Sequence, residues 1–200
     1  LGIRVAHLEA GLRSFDRTMP EEINRLVTDA LADMLWTPSL DGNGNLLREG
    51  VSPDKITFVG NVMIDSLEMQ RERIEKQKTY EEFGLKVGGY GVATFHRPSN
   101  VDDPAVLKKL WGILTDIAEE TPLVFPIHPR TRSNMEKNGI NSNHCNSMFL
   151  PEPLNYVRFM SLVFNCRFVV TDSGGVQEET SYLGIPCLTV RENTERPITV

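Results

Sequence analysis

The sequence predicts an α/β fold built on parallel β-sheets, because strand-like and helix-like segments alternate along the chain. Short apolar or β-branched runs alternate with longer segments whose apolar residues recur every three or four positions. That alternation is typical of βαβ units, in which a helix connects two parallel strands. A long polar helix after Gly60-Asn61 interrupts it once. We therefore expect two Rossmann-like domains, an incomplete first one over residues 1–61 and a second one over residues 62–200.

Composition and charge limit the kinds of protein that the chain can be. Its 200 residues are 40% hydrophobic and 24% charged, which is ordinary for a globular protein with a sizeable core. A net charge of −6 argues against nucleic acid as a partner, so any phosphate site has to be local. The sequence shows neither a signal peptide nor an apolar run of about 18 residues, so no membrane partner is expected.

The cysteines and histidines do not indicate a metal site. Cys145, Cys166 and Cys187 match no metal-ligand spacing, and no two histidines are spaced as ligands. An odd number of thiols favours a reducing compartment over a disulfide framework. We expect a cytoplasmic protein without a metal or another cofactor.

In the first domain, strands are predicted over residues 1–6, 34–36 and 56–59. The helix between the first two strands is expected to begin with Thr18 as N-cap, Pro20 in the first turn and Glu21 as the acid of a capping box. A second helix, with a frayed start, is predicted over residues 41–50.

In the second domain, the long polar helix is predicted over residues 62–78, and the glycine-rich run 84–91 is the best linker candidate. Alternation then resumes. The further predicted helices are 103–119, 130–137 and 153–164. The predicted strands are 91–95, 123–125, 147–149, 168–170 and 187–190.

The last of these βα junctions carries the clearest signal of a ligand. The strand that begins at Phe168 is expected to end near Thr171, and Gly174 and Gly175 to begin a helix. Free N–H groups and the dipole at such a helix start favour an anion such as a phosphate. Glu179, about one and a half turns further, could bind the vicinal hydroxyls of a ribose. The alternative is a plain joint capped by Asp172 or Ser173.

Polar clusters follow several predicted strands, where ligands bind in open parallel sheets. They are residues 7–13, 96–97, 128–130 and 172–175. The first cluster brings Glu9 near Glu21, and Arg25 follows Glu21 by four residues on one helix face. A surface ion pair with a capping box is the alternative for Glu21 and Arg25. Taken together, the clusters indicate a nucleotide-diphosphate ligand and two glutamates for acid–base chemistry.

Six ordered motifs resemble the UDP-N-acetylglucosamine 2-epimerase family, and the resemblance covers essentially all 200 residues. The motifs are His7-Leu-Glu-Ala-Gly-Leu-Arg-Ser, Pro20-Glu-Glu-Ile-Asn-Arg, Gly60-Asn-Val-Met-Ile-Asp, Thr94-Phe-His-Arg, Thr171-Asp-Ser-Gly-Gly-Val-Gln-Glu-Glu and Thr194-Glu-Arg-Pro. The resemblance implies the two-Rossmann-domain glycosyltransferase-B architecture. It also implies a non-hydrolysing isomerase that interconverts UDP-N-acetylglucosamine and UDP-N-acetylmannosamine by eliminating UDP and adding it back. A homodimer and a role in polysaccharide biosynthesis follow by the same analogy.

The resemblance also implies roles for individual residues. Those in the chemistry are Glu9 and Glu21 as acid–base carboxylates, Arg25 as their support, and His96 at the diphosphate. Those that bind UDP are Ser173, Gly174 and Gly175 at the phosphates, Glu179 at the ribose, Tyr156 beside the uracil, and Arg196.

The chain departs from the family pattern in two respects. The N-terminal strands, with an aspartate of the acid–base set, and the closing helices have no counterpart here, so this chain alone is expected to be inactive. In addition, Ser99 stands where many bacterial relatives have a glutamate, which weakens the case for a second, regulatory UDP-sugar site.

Several other functions share parts of these motifs. A 2-epimerase of a diacetamido UDP-sugar shares these motifs. A hydrolysing 2-epimerase is another alternative, and it would release UDP and free N-acetylmannosamine. A glycosyltransferase of the same architecture needs the nucleotide-binding residues but not Glu9 and Glu21. A nucleotide-sugar sensor needs binding alone.

Overall fold

Parallel strands alternate with helices throughout residues 2–140, 146–191 and 194–195, the part of the chain that the computed structural model describes. The strands are β1 (Ala6–Leu8), β2 (Met34–Thr37), β3 (Ile56–Phe58), β4 (Gly91–Thr94), β5 (Leu123–Val124), β6 (Met148–Phe149), β7 (Phe168–Thr171) and β8 (Cys187–Thr189). The α-helices are α1 (Pro20–Leu31), α2 (Leu40–Arg48), α3 (Val62–Gln77), α4 (Pro98–Val101), α5 (Pro104–Glu120), α6 (Pro129–Lys137), α7 (Tyr156–Asn165) and α8 (Gly174–Leu183). Short 3-10 helices cover Pro53–Lys55 and Thr79–Phe83.

These elements form two compact units. The first runs to Leu67 and also contains Thr194 and Glu195, and the second is Glu68–Arg191. The division lies inside α3, whereas the sequence placed a domain boundary after residue 61, at the turn that precedes this helix.

The first unit contains a parallel sheet in the order β1-β2-β3. Ala6 pairs with Met34, and Leu35 pairs with Ile56. Helices α1 and α2 connect the strands, as expected for βαβ units. A small core lies beside the sheet, formed by Ala10, Ala32, Leu35 and Leu46.

The second unit contains a parallel sheet in the order β6-β5-β4-β7-β8. From β4 the chain builds β5 and β6 on one side, and it then returns to place β7 and β8 on the other. The order therefore reverses between β4 and β7, and ligands of open α/β sheets bind beyond the carboxyl ends of the strands at such a point.

Packing around β4 is close. A side chain at Gly91 would lie 2.6 Å from the ring of Phe168 and 2.7 Å from Leu123, on the two neighbouring strands. The core of this unit is formed by Ala93, Phe95, Val101, Leu107, Leu114, Ala118, Leu123, Phe125, Ile127, Met135, Met148 and Val170. This core supports the strand ends that carry the polar clusters.

The N-terminal predictions need correction. Strand β1 begins at Ala6, where pairing with Met34 starts, so His7 lies in the strand instead of following it. The N-cap of α1 is Met19, and no side chain caps this helix start. Thr18 instead donates its hydroxyl to Asp16 at 2.6 Å. The predicted capping box is therefore wrong. Leu1 lies outside the described residues.

The glycine-rich run 84–91 is not a linker, because it lies within the second unit. Gly84 ends a 3-10 helix with a left-handed backbone, and the N–H of Gly88 donates to the carbonyl of Asn165 at 2.8 Å. The segment is therefore a turn before β4. Helix α7 begins at Tyr156, later than the predicted residue 153, because Asn155 is its N-cap.

The remaining strand and helix predictions are confirmed within a few residues. Cys166 and Cys187 are free thiols, while Cys145 lies outside the described residues. No helix in the described ranges is long and apolar enough to cross a membrane.

Candidate active site

The carboxyl ends of β4, β5 and β7 surround a cavity of about 230 Å³ in the second unit. Its lining combines apolar walls with polar groups from separate strand ends. The lining residues are Thr94, Phe95, His96, Pro126, His128, Pro153, Leu154, Phe159, Ser173 and Val176. The structure therefore brings together three of the polar clusters that the sequence singled out.

Asp172, directly after β7, is fully buried and holds this edge of the sheet together. Its carboxylate accepts the backbone N–H of Arg97 at 2.9 Å and the side-chain amide of Asn100 at 3.0 Å. It also accepts the backbone N–H of His96, and it lies 3.0 Å from Nδ1 of the same residue. Asp172 thus fixes the loop after β4 to the end of β7.

Burial alone would raise the pKa of Asp172. Hydrogen bonds from His96, Asn100 and the backbone of Arg97 outweigh that effect and lower the pKa. The ionised carboxylate can only accept, so Nδ1 of His96 is the donor in their contact. The His96 side chain is half exposed and lines the cavity, with its ring orientation set by Asp172.

Helix α8 begins beside this cavity in the predicted way. Ser173 is the N-cap, and its hydroxyl accepts the N–H of Val176 at 3.4 Å. Gly174 and Gly175 form the first positions of the helix, where backbone N–H groups have no intrahelical acceptor. The helix dipole adds partial positive charge at the same place. This helix start can therefore bind an anion such as a phosphate.

Glu179 and Tyr156 form a pair in the same unit. Glu179 is 4% exposed, and its Oε1 accepts the hydroxyl of Tyr156 at 2.8 Å. Burial raises the pKa of Glu179, the neighbouring charge of Glu178 raises it further, and the Tyr156 hydrogen bond partly offsets both. Burial and this contact also raise the pKa of Tyr156. Neither residue lines the cavity described above.

In the first unit, Glu9 lies in the turn that follows β1. Its backbone has φ 67°, a left-handed conformation that costs a non-glycine residue about 1–2 kcal/mol. The turn continues through Gly11, whose φ is +79°. A Cβ on Gly11 would lie 2.4 Å from the carbonyl oxygen of Gly42, so only glycine fits there. The turn that carries Glu9 is thus packed directly against α2.

The glutamates at the start of α1 have different environments. Glu21 is exposed. Glu22 is 1% exposed and accepts the backbone N–H groups of Ser14, at 2.9 Å, and Phe15, at 3.1 Å. Burial alone would raise the pKa of Glu22, but the hydrogen bonds from Ser14 and Phe15 and the charge of Arg25 lower it.

The alternative interpretation of Glu21 and Arg25 as a surface ion pair is wrong. Arg25 pairs with Glu22 at 3.1 Å and lies 3.6 Å from Glu195. Buried Glu22 is turned toward the loop and the arginine, so its exposed neighbour Glu21 stays apart from that network. Glu21 is accordingly neither a capping acid nor the partner of Arg25.

The predicted residues thus fall into local groups in each unit. Glu9, Glu21 and Arg25 lie in the first unit, and Arg196 lies outside the described residues. In the second unit His96 and Ser173 line one cavity, with Gly174 and Gly175 at the adjoining helix start and Tyr156 paired with Glu179. Sequence reasoning missed the structural role of Glu22, although its three-residue spacing from Arg25 is a helical contact distance.

Among residues 2–140, 146–191 and 194–195, no group of His, Cys, Asp and Glu side chains could hold a metal ion. The candidate residues themselves supply carboxylates, an imidazole, a guanidinium and the backbone N–H groups of a helix start.

Known proteins with similar sequences cover the whole chain. The sequence profile of the UDP-N-acetylglucosamine 2-epimerase family matches residues 1–200. The UDP-N-acetylglucosamine 2-epimerase of Methanococcus maripaludis is 41% identical over 209 residues, which cover 100% of this chain and 57% of the relative. The UDP-2,3-diacetamido-2,3-dideoxy-D-glucuronate 2-epimerase of Pseudomonas aeruginosa is 39% identical over 199 residues, which cover 98% of this chain and 54% of the relative.

A solved structure agrees with these sequence matches. It is the crystal structure of Methanocaldococcus jannaschii UDP-GlcNAc 2-epimerase in complex with UDP-GlcNAc and UDP. The TM-score is 0.87 at 41% identity, covering 98% of this chain and 56% of that chain. The predicted α/β fold of two Rossmann-like, glycosyltransferase-B-like domains is thereby confirmed. This chain spans just over half the length of these relatives, and it belongs to the UDP-N-acetylglucosamine 2-epimerase family.

Proposed function

We propose that the full-length protein is a non-hydrolysing UDP-N-acetylglucosamine 2-epimerase, which interconverts UDP-N-acetylglucosamine and UDP-N-acetylmannosamine. One observation carries the proposal: Asp172 fixes His96 beside the start of α8, so that an imidazole and free N–H groups meet at one cavity. Family membership supports the same function. The proposal concerns the full-length protein, because this chain covers 57% of the length of the Methanococcus maripaludis relative.

The diphosphate of the substrate would bind at the start of α8. The N–H groups of Gly174 and Gly175 would donate to phosphate oxygens, together with the hydroxyl of Ser173. His96 would contact the same diphosphate and stabilise the charge that develops when UDP departs. Because Asp172 already holds the imidazole, little reorganisation is needed at that step.

The nucleoside would bind near the pair formed by Glu179 and Tyr156. A carboxylate can accept hydrogen bonds from both vicinal hydroxyls of a ribose. The Tyr156 hydroxyl fixes the orientation of the Glu179 side chain, and the Tyr156 ring would border the uracil. Arg196, outside the described residues, would lie near the same nucleotide.

The chemistry would proceed by elimination and re-addition. A carboxylate takes the C2 proton, the C1–O bond breaks with its electron pair leaving on UDP, and a C1=C2 double bond forms. UDP then attacks C1 again while a proton returns to the opposite face of C2. Because the proton leaves one face of C2 and returns to the opposite face, more than one proton carrier is required. Glu9 and Glu21 would serve as these acid–base groups, and Arg25 would support them.

A second candidate is the 2-epimerisation of a diacetamido UDP-sugar. The similarity to the Pseudomonas aeruginosa enzyme, at 39% identity, favours it. Its chemistry at C1 and C2 is the same, so the residues above would keep their roles. A homodimer, implied by the family resemblance, and a cytoplasmic location, expected from the odd number of cysteines, accompany both candidates as predictions.

Incubation of the full-length protein with UDP-N-acetylglucosamine in D₂O tests the proposal. The expected result, detected by NMR, is deuterium at C2 together with formation of UDP-N-acetylmannosamine. Release of free sugar would instead identify a hydrolase, and transfer to an acceptor would identify a glycosyltransferase. Binding without turnover would identify a sensor. Turnover of a diacetamido UDP-sugar alone would select the second candidate.

A further inference from the structure

Asp29 is a buried acid in an unfavourable place on its helix. It lies in the last turn of α1, where the helix dipole disfavours a negative charge, and its side chain is only 2% exposed. Nη2 of Arg13 lies 2.7 Å from one carboxylate oxygen, and Nδ1 of His7 lies 2.5 Å from the other. Its charge is therefore compensated by the strand-to-turn segment that carries Glu9.

Two residues that contact Asp29 lie on either side of Glu9 in the sequence. His7 precedes Glu9 by two residues and contacts one oxygen of Asp29. Gly11 follows Glu9 by two residues, and its backbone N–H donates to the other oxygen at 3.1 Å. Between these two attachments Glu9 holds its left-handed backbone. A strained backbone persists only where the surrounding structure determines it, and this carboxylate attaches both sides of the turn.

The same helix carries the other candidate acid–base residues. Glu21, Arg25 and Asp29 follow one another at intervals of four residues, so they lie along one side of α1. We propose that Asp29 is a positioning residue for Glu9, which it fixes to the helix bearing Glu21 through His7 and Gly11. This inference rests on the proposed function, in which Glu9 and Glu21 move protons at C2.

The hydrogen in the contact between His7 and Asp29 belongs to the imidazole. A carboxylate paired with Arg13 is ionised and can only accept, so Nδ1 of His7 is the donor. The side-chain amide of asparagine can donate from nearly the same place. A leucine has similar bulk and no donor. The two substitutions His7→Asn and His7→Leu therefore separate the hydrogen bond from simple packing.

The first test replaces the carboxylate in the full-length protein. Asp29→Asn keeps the size of the side chain but turns an N–H group toward one of its donors. We expect kcat for epimerisation to fall about 10²-fold, the loss typical of a misplaced reacting group, with KM nearly unchanged. Glu49→Gln is the matched control, because Glu49 also binds Arg13 but contacts neither His7 nor Gly11. It should keep the wild-type kcat.

The second test reads the position of Glu9 directly. Crystal structures of the wild type and Asp29→Asn should show that φ of Glu9 leaves the left-handed region in the variant. His7→Leu should lower kcat, and His7→Asn should restore most of it. An unmoved Glu9, an unchanged kcat in Asp29→Asn, or an equal loss in Glu49→Gln would each overturn the positioning role. If the wild type does not epimerise the sugar, the proposed function fails, and the position of Glu9 in the crystals still decides this inference.

Discussion

The hydroxyl of Tyr156 donates a hydrogen bond of 2.8 Å to Oε1 of Glu179, and the two residues come from the first turn of α7 and the middle of α8. The contact holds a buried carboxylate in one orientation before any ligand binds. A preorganised acceptor loses less conformational entropy on binding than a mobile one.

Removal of the carboxylate should therefore weaken binding of UDP to the full-length protein. We expect Glu179→Ala to cost about 1.5–3 kcal/mol of binding free energy, because charge-assisted hydrogen bonds to the ribose would be lost. Glu179→Gln, which still accepts from Tyr156, should lose less. Isothermal titration calorimetry measures both, and an unchanged affinity in Glu179→Ala would remove this residue from the site.

Asp172 should contribute strongly to stability because it is buried and satisfies several donors. Asp172→Asn is expected to lower the free energy of unfolding by about 2–4 kcal/mol at pH 7. The pKa of this carboxyl is lowered in the folded state. Its contribution is therefore complete above the unfolded value of 3.8 and is lost as the pH falls through the folded value. Urea unfolding at several pH values should show the wild type and the variant converging in acid. A gap independent of pH would contradict this role.

The junction between β7 and α8 could be predicted from sequence because its signals are local. The β-branched run from Phe168 and the paired glycines at 174 and 175 switch the residue pattern from strand to helix within a few positions. The structure confirms that Gly174 begins α8 directly after β7. The role of Asp172 could not be predicted, because its partners Arg97 and Asn100 lie more than seventy residues away.

The environments of the glutamates in α1 were harder to predict, because they depend on the rotation of that helix. In the structure Glu22 faces inward, where it accepts from Ser14 and Phe15, and Glu21 is exposed. Both glutamates fit the sequence pattern equally well. The boundary of β1 likewise depends on its pairing with Met34 in β2. The residue pattern of β1 alone contains no information about that pairing.

The close approach of two backbones at Gly11 gives a further prediction on stability. Gly11→Ala should destabilise the protein by more than about 2 kcal/mol, since it adds a left-handed backbone penalty to a 2.4 Å contact with the carbonyl of Gly42. Gly112→Ala is the control, because it lies inside α5 with open space around it. It should stabilise by about 0.5–1 kcal/mol. Thermal unfolding followed by circular dichroism compares the two, and similar effects in both would contradict the packing account.

Substitutions of the neighbouring glutamates Glu21 and Glu22 in α1 should differ in their effect on the free energy of unfolding. Glu22→Gln is expected to cost about 1–3 kcal/mol, because a buried carboxylate that accepts from Ser14 and Phe15 becomes an amide. Glu21→Gln, at an exposed position, should stay within about 0.5 kcal/mol of the wild type. Chemical denaturation of both variants checks this, and a large loss in Glu21→Gln would return that residue to a structural role.

Proton exchange at C2 of the sugar decides whether Glu9 and Glu21 transfer protons. In the full-length protein in D₂O, the wild type should incorporate deuterium at C2 of UDP-N-acetylglucosamine. Glu9→Gln and Glu21→Gln should each lower kcat by roughly 10²–10⁴-fold, because near-isosteric amides cannot transfer the proton. UDP affinity should stay at the wild-type value. Wild-type exchange in both variants would contradict the account and leave these glutamates without a part in the chemistry.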